Sequence, residues 1–269
     1  TPKPSSAASD VYKRQVQKIL YTILLLLLFR VGSFIPIPCI NTAAMLELSS
    51  KNQGGFLGMF NMLSGGALGR MSIFALAIMP YITASIMIQL FSMLYPPLEN
   101  LRKEGETGRK QLNQFSRYLT IFLAIIESYI VAINLENASI ISENMAFTSN
   151  LFFKISTICT LVSGTMLLVW VGEQISCRGI GNGSSMIIFV GIITGIPSSV
   201  ISLLELARTG SISYFKVFIV LISTLLSLAF VVYIEKSFRK VLVQTPHKKS
   251  VNGQGSYLPI KINIAGVIP

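Results

Sequence analysis

Charged residues are scarce in this sequence. Asp, Glu, Lys and Arg make up 12% of its 269 residues, against about 25% in a soluble globular domain. A chain so poor in charge is not an ordinary soluble domain. Histidine occurs once, as His247 in a basic stretch, and the three cysteines, Cys39, Cys159 and Cys177, stand far apart. No CxxC or Cys/His spacing arises, which argues against a metal site or a disulfide framework. Gly179-Ile-Gly-Asn-Gly183 is glycine-rich, but no strand precedes it and the spacing is not GxGxxG. It reads as a tight turn, not a nucleotide loop. No catalytic constellation stands out and no cofactor is implied, so an enzyme is not expected. Acidic residues number only 11 against 22 basic ones, a net charge of +11. Nucleic acid is one partner for so basic a chain. The basic residues lie between apolar stretches, however, which is the positive-inside pattern of membrane proteins, and no nucleic-acid partner is expected.

Apolar length is abundant. Hydrophobic residues make up 52% of the chain and mean hydropathy is +0.65, with runs near the ~20 residues needed to cross a bilayer. The expected architecture is an all-α, polytopic transmembrane helix bundle. Spans are expected at about 19–35, 72–94, 118–135, 151–171, 185–206 and 214–234. Pro36 and Pro38 are expected to end the first, Pro96-Pro97 the second, and Pro197 lies inside the fifth. A seventh apolar stretch opens at Leu258-Pro259 and stops with the sequence at Pro269, so it is expected to be cut short. Residues 1–15 are polar and turn-rich and read as a non-native or disordered tail outside the fold.

Alternation from a cytoplasmic N-terminus places fifteen Lys and Arg residues on the inner side and five on the outer. That asymmetry fixes the expected orientation. Two basic groups stand out within it: Arg102, Lys103, Arg109 and Lys110, and then Lys236, Arg239 and Lys240. Attraction to anionic lipid explains such charges at ~1 kcal/mol each. The second group opens a loop of about 20 residues, longer than the ~12–15 that a plain connection uses.

The most informative stretch is Phe60-Asn-Met-Leu-Ser-Gly-Gly-Ala-Leu-Gly-Arg70 and the apolar run after it, which contains Pro80. A short apolar helix is expected to break at Gly65-Gly66, and Pro80 is expected to kink the span that follows. Irregular backbone at membrane depth is tolerated only where protein buries it or a watery cavity adjoins it. A pathway through the membrane is therefore expected. Ile78, Ile82 and Ile86 follow at helical spacing, as do Ile188 and Ile192; taken alone, such stripes signify packing or lipid contact. Gly191-Ile-Ile-Thr-Gly195 is a GxxxG that permits close helix approach. Ala77-Ile-Met-Pro80 echoes Gly266-Val-Ile-Pro269 five spans later, the relation of inverted repeats. Charge within the spans is sparse: Glu127 sits within the third and Arg30 near the outer end of the first, where burial is costly. Glu127 is expected to face the bundle interior or water. A secondary transporter with broken helices and inverted repeats would use such a carboxylate, and it is the alternative reading.

These motifs resemble, in order along residues 16–269, those of the SecY family, the channel-forming subunit of the protein-export translocon. Phe29-Arg-Val-Gly-Ser-Phe-Ile-Pro-Ile-Pro38 resembles the end of that family's first span, and residues 60–70 resemble its plug. Lys103-Glu-Gly-Glu-Thr-Gly-Arg109 resembles its first large cytoplasmic loop, and Gly172-Glu-Gln-Ile-Ser-Cys-Arg-Gly-Ile-Gly-Asn-Gly183 its turn between spans 4 and 5. Leu258-Pro-Ile-Lys-Ile-Asn-Ile-Ala-Gly-Val-Ile-Pro269 resembles the opening of its seventh span. Spans 8–10 and most of 7 have no counterpart here.

The resemblance implies that residues 16–206 are the first five-span half of a pseudo-two-fold inverted-repeat channel, with the plug at 56–70. Residues 207–269 then hold span 6, a cytoplasmic loop and the start of span 7. It implies that Phe60, Asn61, Met62, Leu63, Ser64, Gly65, Gly66, Ala67, Leu68, Gly69 and Arg70 form a plug. Ile78, Ile82 and Ile188 would form an apolar pore ring, a waist that can block ions by dewetting. The implied function is passage of unfolded secretory polypeptides across the bacterial plasma membrane, with sideways release of apolar segments into lipid. The implied partners are SecE-like and SecG-like small subunits, and a SecA-like motor ATPase or a ribosome docked on Arg102, Lys103, Arg109, Lys110, Lys236, Arg239 and Lys240.

Overall fold

The structure, a computed structural model, describes residues 4–38, 40, 45, 58, 61, 64–137, 150–210, 212–243 and 256–261. Its helices are α1 (Pro4–Gly32), α2 (Met79–Leu94), α3 (Pro96–Lys103), α4 (Glu106–Asn137), α5 (Asn150–Arg178), α6 (Gly183–Arg208) and α7 (Tyr214–Lys236). Two strands follow, β1 (Phe238–Val243) and β2 (Ser256–Lys261). Among the described residues five helices, α1, α4, α5, α6 and α7, are long and apolar enough to cross a membrane. The architecture is that of a multi-pass helical membrane protein.

Spans 3 to 6 stand where apolar length placed them, though each helix overruns its apolar core at one or both ends. The second span is different. Ser72 bridges to Pro36, residues 73–78 form turns, and the helix begins only at Met79. Pro80 therefore sits in the first turn of α2, where its missing N–H is one no helix would have used. The expected mid-span kink gives way to a helix start. Pairing with the end of the first span keeps 72–78 out of the helix: the Ile37 N–H donates to the Met71 carbonyl (2.9 Å) and the Ile73 N–H to the Ile35 carbonyl (3.0 Å). The 16 residues of α2 span about 24 Å, short of the ~30 Å hydrocarbon core.

Other expectations are corrected too. Helix α1 begins at Pro4, so residues 4–15 are helical where a tail was expected. It ends at Gly32, ahead of Pro36; Gly32 leaves room for the Phe74 ring, which an added Cβ would run into, and Phe74 stacks on Phe29 (centroids 5.9 Å apart). Pro96-Pro97 opens α3 as well as closing the span before it. The loop expected around residues 103–109 is mostly helix, broken only at Glu104-Gly105, where Gly105 takes a φ of +76°. The basic stretch after α7 and the opening of the seventh apolar stretch pair as an antiparallel hairpin, Phe238 opposite Lys261 and Val243 opposite Ser256. The echo at residues 266–269 lies outside the described residues.

The chain divides into two compact units, Thr1–Pro197 and Ser198–Ile268. The first holds two apolar clusters. One gathers Leu25, Phe29, Phe74, Ile78, Leu168, Val171, Ile175 and Ile187; the other gathers Ile37, Met71, Ala75, Leu135, Phe153 and Leu161. Helix α5 supplies residues to both. The second unit holds the end of α6, then α7 and the hairpin.

Candidate functional site

The segment 64–70 is a knot of turns drawn around two side chains. The Asn61 Oδ1 accepts from the Gly69 N–H (2.7 Å), and the Asn61 carbonyl accepts from the Gly66 N–H (2.8 Å) and the Ser64 hydroxyl (3.0 Å). The Ser64 Oγ in turn accepts from the Leu68 N–H (3.2 Å). Gly65 and Gly66 hold φ of +66° and +81°, left-handed values that only glycine adopts at little steric cost. Phe60, Met62 and Leu63, expected in the same segment, lie outside the described residues.

This turn is seated on α6. An added Cβ at Gly65 would lie 3.2 Å from the Gly191 Cα and 3.2 Å from the Thr194 Oγ1. The GxxxG at 191–195 thus receives a turn, not a helix, at its first glycine. Its second glycine, Gly195, has nothing within 4 Å of where its Cβ would stand.

Two arginines close over the turn from the other side. Arg30 of α1 donates from Nη1 to the Gly65 carbonyl (3.0 Å), and Arg70 donates from Nη2 to the same oxygen (3.2 Å) and from Nε to the Gly66 carbonyl (3.2 Å). Both guanidinium groups lie over the Phe34 ring, at 4.8 Å for Arg30 and 4.3 Å for Arg70. Burial, and then the neighbouring Arg30 charge, hold the Arg70 guanidinium below its ordinary pKa. Sequence reading missed Phe34. Its signal was the spacing, four residues beyond Arg30 at the end of an apolar helix.

Residues 71–78 lead from the turn into α2. Met71 and Ala77 hold φ of +45° and +49°, unusual for residues with a Cβ. At the far end Ile78, 1% exposed, enters the first apolar cluster, and Ile82 and Ile188 pack against the same cluster. The three residues expected at a waist are thus brought together from α2 and its start and from α6. Ile192, in the same stripe as Ile188, is exposed.

The basic residues expected to dock partners fall into both units. Arg102 and Lys103 end α3, and Arg109 and Lys110 lie in the first turns of α4. Lys103 pairs with Glu99 at 2.7 Å. In the second unit Lys236 ends α7, and Arg239 and Lys240 lie on β1. Glu127 is half-buried in α4 with no ion-pair partner among the described residues. The expected tight turn is present: Gly181 holds a φ of +73°, the Gly183 N–H donates to the Ser176 Oγ (2.8 Å), and the Ile180 N–H donates to the Thr22 Oγ1 of α1 (3.2 Å). Among the described residues no group of His, Cys, Asp and Glu could hold a metal.

Long helices wrapped around an irregular, glycine-hinged segment define a class: helical membrane proteins whose bundle encloses non-helical backbone. Within that class the family is settled by sequence. The SecY family pattern matches residues 72–269, and the chain belongs to that family. It is 53% identical over 258 residues to the protein translocase subunit SecY of Rickettsia typhi, across 94% of this chain and 60% of that relative. The chain thus spans somewhat under two thirds of that relative's length. Its fold is similar to a solved structure of a protein conducting channel, with a TM-score of 0.61 at 19% identity, over 91% of this chain and 52% of that one. A second solved structure, of SecY studied for a plug domain that stabilises the closed state and maintains a membrane seal, matches with a TM-score of 0.51 at 20% identity, over 93% of this chain and 53% of that one.

Proposed function

We propose that this chain forms part of a protein-conducting channel. The channel passes unfolded secretory polypeptides across the bacterial plasma membrane and releases apolar segments sideways into lipid. One observation carries the reading: the glycine turn at 64–70 is packed against α6 a few residues ahead of Ile78, which lies in the apolar cluster that Ile82 and Ile188 pack against. In this reading the turn belongs to a plug and the three isoleucines to an apolar waist. Such a waist stops ions by dewetting, while flexible side chains can part around a polypeptide. The name of the rickettsial relative and the likeness to a protein conducting channel support it. The N-terminus lies in the cytoplasm, as the Lys and Arg asymmetry argues. Arg102, Lys103, Arg109, Lys110, Lys236, Arg239 and Lys240 then face the cytoplasm. There they offer acidic surfaces of a SecA-like motor or a ribosome a place to dock, and SecE-like and SecG-like subunits complete the assembly.

The test places Ile82→Gly with Ile188→Gly in a full-length translocase subunit, reconstituted in planar bilayers without cargo. Resting ion conductance is expected to rise several-fold over the unaltered protein. Unchanged conductance would remove these residues from the waist.

A further inference from the structure

Gly65 has no side chain to bury, although Ala67 beyond it is buried and Leu68 packs against the second apolar cluster. Its seat on α6 is a glycine and a threonine, so apolar packing at that seat is slight. At Gly65 itself the hold is polar. Arg30 and Arg70 both donate to the Gly65 carbonyl, and both rest on Phe34. The two arginines differ in where they are rooted. Arg30 stands on α1, whereas Arg70 stands at the end of the turn itself and reaches back across it. Just past Arg70, the chain is pinned to residues 35–37 through Met71 and Ile73. The clamp therefore ties the turn to a fixed helix immediately ahead of a fixed point in the chain.

The clamp is also self-limiting. Two like charges share one neutral acceptor and one ring, and no carboxylate among the described residues pairs with either. Phe34 is 53% exposed, so no other part of this chain among the described residues seals the ring side of the clamp.

We infer that Arg30, Phe34 and Arg70 form a latch on the Gly65 carbonyl that sets how readily residues 64–70 leave their seat on α6. This rests on reading the turn as part of a plug. A hydrogen bond from a charged donor is a strong one among those of proteins, and a ring under a cation adds to it. Either guanidinium lost should loosen the turn without loosening the bundle.

The experiment reads exposure directly. In the full-length, membrane-reconstituted protein, replacing every cysteine by serine, Cys39, Cys159 and Cys177 among them, clears the background. Ala67→Cys then places a thiol on the turn at a fully buried position, and Ala75→Cys, in separate protein, places one at a buried position in the second apolar cluster. Labelling by a water-soluble maleimide is timed. Arg30→Gln is expected to speed labelling at Ala67→Cys about tenfold, the loss of one hydrogen bond from a charged group, and Arg70→Gln, which removes two, by at least as much. Phe34→Leu is expected to speed it about threefold, since the hydrogen bonds remain and only the ring contact goes. Labelling at Ala75→Cys stays slow throughout. Unchanged labelling at Ala67→Cys overturns the latch, and so does equal acceleration at both positions, which is general loosening. Labelling needs no conductance, so a failed latch and a silent Ile82→Gly, Ile188→Gly channel are separate results.

Discussion

Helices α5 and α7 are both long and apolar enough to cross a membrane, yet 44% of the apolar window of α5 is buried within the chain against 6% for α7. Their side chains differ as well. One face of α5 runs Thr157, Leu161, Gly164, Thr165, Leu168, Val171 and Ile175, and its small members let other backbone come close: a Cβ added at Gly164 would meet the Ile73 carbonyl oxygen. Large apolar side chains are exposed on α7 in every direction, Leu225, Leu226, Leu228, Phe230 and Val231 among them. Its hydroxyls bond back to their own helix, as Ser223 and Thr224 do to the Val220 carbonyl. Lipid tails are as apolar as leucine, so large side chains alone draw no helix partner; small residues that permit close packing do. Apolar length says that a helix crosses a membrane, and small residues say where something packs closely against it.

The sharpest way to break this contrast is a pair of matched truncations. Leu168→Ala removes a fully buried side chain from α5 and should cost about 3 kcal/mol. Leu225→Ala removes one that is 68% exposed on α7 and should change stability by less than about 0.5 kcal/mol. Unfolding followed in detergent micelles compares them. Equal losses would mean that α7 is packed as tightly as α5 in the full-length protein.

A second pair tests the small residues themselves. Gly164→Ala pushes a methyl into the Ile73 carbonyl and should cost about 2 kcal/mol. Gly195→Ala meets nothing within 4 Å and should be neutral or stabilise by up to about 1 kcal/mol, since alanine favours helix. If both cost the same, the loss reflects helix packing that neither position's surroundings account for.

The same contrast explains what could be read from the sequence. Spans 3 to 6 were legible because each is a long, predominantly apolar run, and the start of α7 falls at Tyr214 as expected. Residues 72–78 looked like more of the same. Their departure from helix depends on hydrogen bonds to residues 35–37, partners more than thirty positions away that local pattern does not reveal. The seat at Gly191 was visible as a glycine motif, but its occupant was not, because a glycine records that something comes close and not what does. Ile78, Ile82 and Ile188 were nominated from spacing and resemblance, and the fold brings them to one cluster. The hairpin after α7 was hidden by its charge, since Lys236, Arg239 and Lys240 read as loop, while Val241, Leu242 and Val243 supply the strand character.

The smallest expected effect probes whether charge adds to the seam that packing builds around α5. Arg117 of α4 donates from both Nε and Nη2 to one Glu173 oxygen of α5, each at 2.7 Å. That geometry is close, but the side chains are 46% and 30% exposed, so water competes for both partners and salt screens them. Arg117→Gln should therefore cost only about 0.5 kcal/mol, shrinking further as salt rises from about 0.1 M to about 1 M. Both values come from the same unfolding assay as Leu168→Ala. A cost equal to that of Leu168→Ala, or one that high salt leaves untouched, would show a pair shielded from water. The seam between α4 and α5 would then owe its strength to charge as well as to packing.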